Sequence, residues 1–153
     1  MSGEKISDSL KIQRRNAAVN MARDICLKLI ERRAVAPENL NGAMSLLAAA
    51  AEALFEEIND GDGLWLVRMA RDFTLKMVER NFIGTVQAAA LALNENGRML
   101  AAAAAGLDPA LAPTALGAAR DLSLKLLETG RLSRTALPDF FRDLASSLAG
   151  EKS

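Results

Sequence analysis

A threefold internal repeat is the feature of this sequence that most restricts its fold. Residues 21–31, 69–79 and 118–128 read MARDICLKLIE, MARDFTLKMVE and AARDLSLKLLE, with six positions identical in all three copies. The copies begin 48 and 49 residues apart. A period of this length is typical of architectures in which each repeat is one supersecondary unit. The chain is therefore expected to form the same local structure three times.

Each copy has the pattern of a helical hairpin. Beyond the motif, apolar residues recur at steps of three and four, at positions 40, 44, 47, 51, 54 and 58 in the first copy and 137, 141, 144 and 148 in the third. This spacing lines one face of a helix. Alanine, the best helix former, supplies 29 of the 153 residues. We therefore predict an all-α fold of three tandem helical hairpins, with helices near 8–33, 37–58, 64–81, 85–105, 114–129 and 134–148.

The three hairpins are expected to share a single domain that spans 1–153, with units at about 8–60, 63–107 and 112–150. They can stack as a short solenoid or close into a compact bundle, and three units favour the compact form. The copies align beyond the motif without gaps, which places Glu95 where Leu47 and Leu144 stand. Gly97 weakens the same helix further. Three residues near helix ends suggest boundaries: Thr114 as an N-cap, Gly130 as a stop, and Pro138 as a late start or kink.

The repeated charges are the main candidate for a functional surface. In each motif an aspartate precedes a lysine by four residues and a glutamate follows the lysine by three, so all three lie on one edge of a helix. If the motif helices converge, each arginine can pair with an acid on a neighbouring copy. The set is therefore either structural or a repeated partner surface, and it comprises Arg23, Asp24, Lys28, Glu31, Arg71, Asp72, Lys76, Glu79, Arg120, Asp121, Lys125 and Glu128.

Residues for catalysis or metal binding are scarce. The chain has no histidine, which excludes imidazole-based catalysis, and no phosphate-binding glycine signature. Its single cysteine, Cys26, aligns with Thr74 and Ser123 and is expected to be a small packing residue. The segment from Asn59 to Gly63 faintly resembles a calcium loop, but the positions that need Asp and Glu hold Ile58 and Met69. We predict a non-enzymatic protein without catalytic residues, metal or cofactor.

Charge is unevenly distributed although the total is zero. Residues 1–33 carry eight Lys/Arg and four Asp/Glu, whereas residues 34–62 carry six acids and no base. The simplest explanation is a basic first helix packed beside an acidic second one. The alternative is a basic patch that contacts nucleic acid, formed by Lys11, Arg14, Arg15, Arg32 and Arg33. With zero net charge and few aromatic residues, nucleic-acid binding is the weaker interpretation.

The sequence thus favours a protein–protein interaction or scaffold module, with a small regulator that contacts nucleic acid as the alternative. The partner is another protein or a second copy, and apolar residues near both ends favour a homodimer. No apolar stretch is long enough to span a bilayer, and no export signal is visible, so a cytoplasmic location is expected. Two apolar positions of each motif are expected to be buried: Leu27, Leu75 and Leu124, and Leu29, Met77 and Leu126.

Overall fold

A computed structural model describes residues 8–58 and 63–150. These residues form six α-helices and no strand: α1 Asp8–Glu31, α2 Leu40–Glu57, α3 Gly63–Glu79, α4 Val86–Ala105, α5 Ala112–Glu128 and α6 Leu137–Leu148, with a 3-10 turn at Pro37–Asn39 before α2. The prediction of an all-α fold with six helices is confirmed. The segment from Asn59 to Gly63, which faintly resembles a calcium loop, lies outside the described residues except for Gly63.

The three motif helices end in the same way. Arg33, Asn81 and Gly130 occupy equivalent positions after them and have φ angles of 63°, 67° and 77°. In each unit the next backbone amide donates to a carbonyl five residues earlier, at 2.7–2.9 Å: Ala34 to Leu29, Phe82 to Met77 and Arg131 to Leu126. A left-handed residue with this bond is a common helix C-terminal cap. Gly130 is therefore the predicted stop, and the equivalence of the three turns agrees with the internal repeat.

The hairpins stack in chain order as two layers. Helices α1, α3 and α5 lie side by side in one layer, and α2, α4 and α6 form the other. Each unit packs against the next, and within the described residues no comparable packing joins the first unit to the third. The arrangement is therefore a short solenoid of closely packed hairpins with two ends. Among the described residues, the first and third units do not meet to close a threefold bundle.

Large apolar side chains join neighbouring units across the core. The rings of Phe73 in α3 and Phe141 in α6 meet edge to face, with centroids 5.5 Å apart. Leu47 and Leu54 of α2 and Leu93 of α4 are fully buried. Close packing of these residues offsets the small area that each alanine buries.

Helix α4 departs from the gap-free alignment. It buries Ala89, Leu93, Gly97 and Leu100, whereas Glu95 is exposed. The start of α4 follows that of α2 by 46 residues rather than 48, because the turn in the second unit is shorter. The gap-free alignment is therefore wrong within α4, although it holds through the turn that contains Asn81. Glu95 is not a misplaced core residue, because its carboxylate lies 3.3 Å from Arg134 Nη2.

Gly97 permits the close approach of α2 and α4. A Cβ added at this position would overlap the buried side chain of Leu54 and lie only 2.9 Å from its Cγ. The glycine that weakens α4 as an isolated helix is thus favoured by the packing of α4 against α2.

Two helix starts differ from simple capping rules. Thr114 is not an N-cap, because α5 begins two residues earlier, at Ala112, with Pro113 in its first turn. Proline fits there because its missing N–H has no partner in the first turn of a helix. Pro138 has the same position in α6, which confirms a late start rather than a kink.

Candidate functional site

The repeated charges meet along the α1–α3–α5 layer. Arg71 Nη1 of the second unit donates to Asp24 Oδ2 of the first at 3.3 Å. Arg120 Nη1 of the third unit donates to Asp72 Oδ2 of the second at 3.4 Å. Each arginine also contacts the aspartate that follows it in its own helix. The arginine–aspartate pairs therefore form a regular ladder that runs from unit to unit.

The lysine–glutamate pairs form a second ladder in the opposite sense. Lys28 Nζ donates to Glu79 Oε2 of the following unit at 3.4 Å, and Lys76 Nζ lies 3.9 Å from Glu128 Oε1. Lys76 also donates to Glu79 within its own helix at 2.8 Å. Each inter-unit pair is partly exposed and is worth up to about 1 kcal/mol. The motif charges of adjacent units thus pair at the same positions at both interfaces.

Electrostatics within this network favour the charged forms. The pKa of the Glu79 carboxyl is lowered chiefly by the hydrogen bond from Lys76, with further contributions from the charges of Lys76 and Lys28. The pKa of the Lys28 ammonium is raised, chiefly by its hydrogen bond to Glu31, while partial burial opposes the shift. Both shifts stabilise the ion pairs at neutral pH.

The ladders leave four charges at the two ends of the stack. Arg23 and Glu31 in the first unit, and Asp121 and Lys125 in the third, have side chains 58–71% exposed. In the described part of the chain, their ion pairs stay within their own helix. These residues occupy the motif positions that reach across to a neighbouring unit elsewhere in the stack.

We call the side of a motif helix that meets the preceding unit its leading face. In α3 this face carries Val67, Arg71, Leu75 and Glu79, which follow one another at steps of four. Its equivalents in α1 are Val19, Arg23, Leu27 and Glu31, and in α5 Leu116, Arg120, Leu124 and Glu128.

The leading face of α1 is uncovered. Val19 is 44% exposed, whereas the equivalent Val67 and Leu116 are 0% exposed. Leu27 is also exposed, so the prediction of its burial is wrong. The reason is that the first unit has no preceding neighbour within the described residues. Leu75 and Leu124, at the same motif position, are partly buried.

The opposite side, which meets the following unit, is the trailing face. It carries Met21, Asp24, Ile25 and Lys28 in α1; Met69, Asp72, Phe73 and Lys76 in α3; and Ala118, Asp121, Leu122 and Lys125 in α5. Ile25 and Phe73 are fully buried, whereas Leu122 is 50% exposed. Leu29 and Met77 are buried as predicted, and Leu126 only partly so. Each end of the stack thus exposes a face that carries both apolar and charged side chains.

The residues of the predicted basic patch lie in different environments. Arg14 is buried, with its guanidinium carbon 5.6 Å from the centre of the Phe55 ring. Lys11 and Arg15 line a shallow depression with Glu52 and Glu56 of α2. The basic first helix therefore does pack beside an acidic second one.

The remaining basic residues lie at the far end of α1. Arg32 Nη2 donates to Asn81 Oδ1 of the second unit at 2.8 Å, and Arg33 forms the left-handed turn. Arg32 follows Lys11 by 21 positions, a distance of about 30 Å along a helix. The five residues do not come together as one patch.

Cys26 is buried, and this desolvation raises the pKa of its thiol. The equivalent Thr74 accepts a hydrogen bond from Asn96 Nδ2 at 3.3 Å in the interior between α3 and α4. Sequence reasoning missed Asn96, because its burial depends on the shifted register of α4. Among the described residues, no three metal-binding side chains cluster together.

No protein-family model, curated protein sequence or solved structure matches this chain. Within the described ranges, none of the helices has the length and apolar character to cross a membrane.

Proposed function

We propose that this protein is a non-enzymatic interaction module of the cytoplasm, which acts as a scaffold by binding another protein or a second copy of itself. The single observation that carries the proposal is the uncovered leading face of α1. There the exposed Val19 and Leu27 alternate with the charged Arg23 and Glu31, although the same face is covered in the next two units. An exposed apolar stripe with charges of both signs has the character of a surface that a protein partner covers.

The two interfaces inside the stack indicate what such a face accepts. Each leading face packs against a helix that presents an aspartate and a lysine four residues apart, as Asp24 and Lys28 do. A partner for the exposed face is therefore expected to offer a helix with an acid, a base and apolar residues on one side. This requirement describes a protein rather than a small ligand.

The alternative function, nucleic-acid binding through the basic residues of α1, has less support. Sequence-independent binding requires several cations that reach phosphates together. Arg14 is buried, Arg32 contacts Asn81, and Lys11 lies beside acidic side chains. No single face presents the five basic residues, so protein binding remains the preferred proposal.

Site-specific photo-crosslinking in the native cells tests this proposal. A benzophenone amino acid is placed at Leu27 on the leading face or, as a control, at Leu91 on α4. Both leucines are 57% exposed, so the control matches exposure and residue type. We expect a discrete crosslinked protein, either a second copy or a different chain, from position 27 alone. The absence of a discrete product at position 27, or identical products from both positions, would contradict the proposal.

A further inference from the structure

We propose that the partner of the leading face is a second copy of this chain, bound head to tail. The leading face of α1 in one copy packs on the trailing face of α5 in the other and thereby continues the stack. This inference rests on the proposed function and names its partner.

Charge complementarity is the first argument. Inside the stack, Arg71 and Glu79 on a leading face meet Asp24 and Lys28 on a trailing face. The third unit meets the second by the same two types of pair.

At the free ends the same four residue types stand at the same spacings. Arg23 and Glu31 are eight residues apart on the leading face, and Asp121 and Lys125 are four apart on the trailing face. A second copy that docks as α3 docks on α1 therefore places Arg23 against Asp121 and Glu31 against Lys125. Both contacts then join opposite charges.

Apolar surface is the second argument. The free leading face exposes Val19 and Leu27, and the free trailing face exposes Leu122. At the equivalent positions inside the stack, Val67 and Phe73 are fully buried. Head-to-tail contact therefore covers apolar residues at both ends with the kind of surface that covers their equivalents in the middle.

The unmodified motif in the end units is the third argument. Terminal units of repeat proteins normally have a polar outer face that caps the array. Here the first unit keeps the inter-unit residues Arg23, Leu27 and Glu31, and the third keeps Asp121 and Lys125. The outer faces of the end units thus carry the residues that contact an adjacent unit elsewhere in the stack.

This arrangement differs from a twofold dimer in a measurable way. A head-to-tail contact uses two different faces, so each copy retains a free face and assembly continues beyond two unless a ring closes. A twofold dimer would instead join two leading faces. In an antiparallel pair, Arg23 of each copy would then lie near Glu31 of the other.

Charge reversal at one end, followed by mixing, tests the proposal. The leading variant carries Arg23→Glu and Glu31→Lys, and the trailing variant carries Asp121→Arg and Lys125→Glu. A control variant carries Arg98→Glu with Glu57→Arg, which reverses an exposed pair between α4 and α2. Mass is measured by sedimentation equilibrium from low micromolar to millimolar concentration. Circular dichroism and the urea midpoint establish that each variant is folded.

We expect the average molecular mass of the wild type and of the control to increase with protein concentration and to exceed the mass of a dimer. Each end variant alone should associate about 10–100-fold more weakly, because reversal places like charges opposite each other at both contacts. An equimolar mixture of the two should recover association. In the mixture, one contact joins two unaltered faces and the other joins two reversed, complementary faces.

Three results would overturn the head-to-tail proposal. One is a wild-type mass that remains at 16.3 kDa throughout the concentration range. Another is a leading variant that dimerises as the wild type does, since an antiparallel twofold contact survives reversal of both charges. The third is a mixture that fails to associate. If any of these results accompanied a crosslink from position 27 to a different protein, the proposed interaction function would stand.

Discussion

Replacing Val67 by alanine should destabilise the protein by about 0.7–1.7 kcal/mol more than replacing Val19 by alanine. The two residues are of the same type and occupy the same position of the repeat on helices α3 and α1. They differ in burial, since Val67 is fully buried and Val19 is nearly half exposed. The comparison therefore isolates the contribution of having a preceding unit.

The magnitude follows from the burial of two methyl groups. Their removal from a fully buried site costs about 1.6 kcal/mol, at about 0.8 kcal/mol per carbon. A residual cavity of about 40 Å³ adds up to about 1 kcal/mol when the surroundings do not relax. At Val19 the transfer cost is only about 0.9 kcal/mol, and a solvent-exposed site leaves no cavity. Alanine gains about 0.5 kcal/mol in helix propensity at both positions, so this gain cancels in the difference.

The assay is urea unfolding followed by circular dichroism at a protein concentration where the chain is monomeric. With a common slope, the shift in midpoint gives the change in the free energy of unfolding. Equal losses for the two variants, or a larger loss for Val19→Ala, would show that the preceding unit does not bury this face. The assignment of leading faces would then be refuted.

Two further perturbations address the packing of α4 and the charge ladder. Gly97→Ala should lower the free energy of unfolding by about 1–2 kcal/mol, because overpacking against α2 outweighs the gain in helix propensity. As a control, Gly42→Ala, in open space within α2, should raise the free energy of unfolding by about 0.5–1 kcal/mol. Urea midpoints of the two variants that move in the same direction would contradict this interpretation. Glu79→Gln should lower the free energy of unfolding at neutral pH, because a carboxyl with a depressed pKa stabilises the folded state only when it is ionised. The difference in free energy of unfolding between the variant and the wild type should therefore vanish as the pH falls through about 4.5, the ordinary pKa of the carboxyl, and then through the lowered pKa of Glu79 in the folded state. A difference that stays constant between neutral and strongly acidic pH would show that the ion pair with Lys76 is not its origin.

Much of the local structure follows from the sequence. The six helices and their hairpin pairing follow from the repeat and from apolar steps of three and four, because helix formation depends on neighbouring residues. Gly130 marks the end of one motif helix, and its alignment with Arg33 and Asn81 points to the same turn in all three units. Arg33 gives no sign of a left-handed conformation by itself, whereas asparagine, present at position 81, is after glycine a common residue at such a cap.

The register of α4 could not be read from the sequence. Glu95 and Gly97 look like defects in an apolar stripe when the copies are aligned without gaps. In the structure the shorter turn rotates α4, so that Glu95 meets Arg134 and Gly97 lies against Leu54. A helix tolerates either rotation locally, and only contact with its neighbours selects one.

The sequence by itself determined that three equivalent helices carry the same arginine, aspartate, lysine and glutamate, because these residues lie at identical positions of a duplicated segment. Only the tertiary structure decided which of those side chains pair across units and which remain exposed. Leu27 and Leu75 have identical motif positions, but one is exposed and the other partly buried. The physical reason is that burial on this face requires an adjacent unit. A repeat at the end of a linear stack has such a neighbour on one side only.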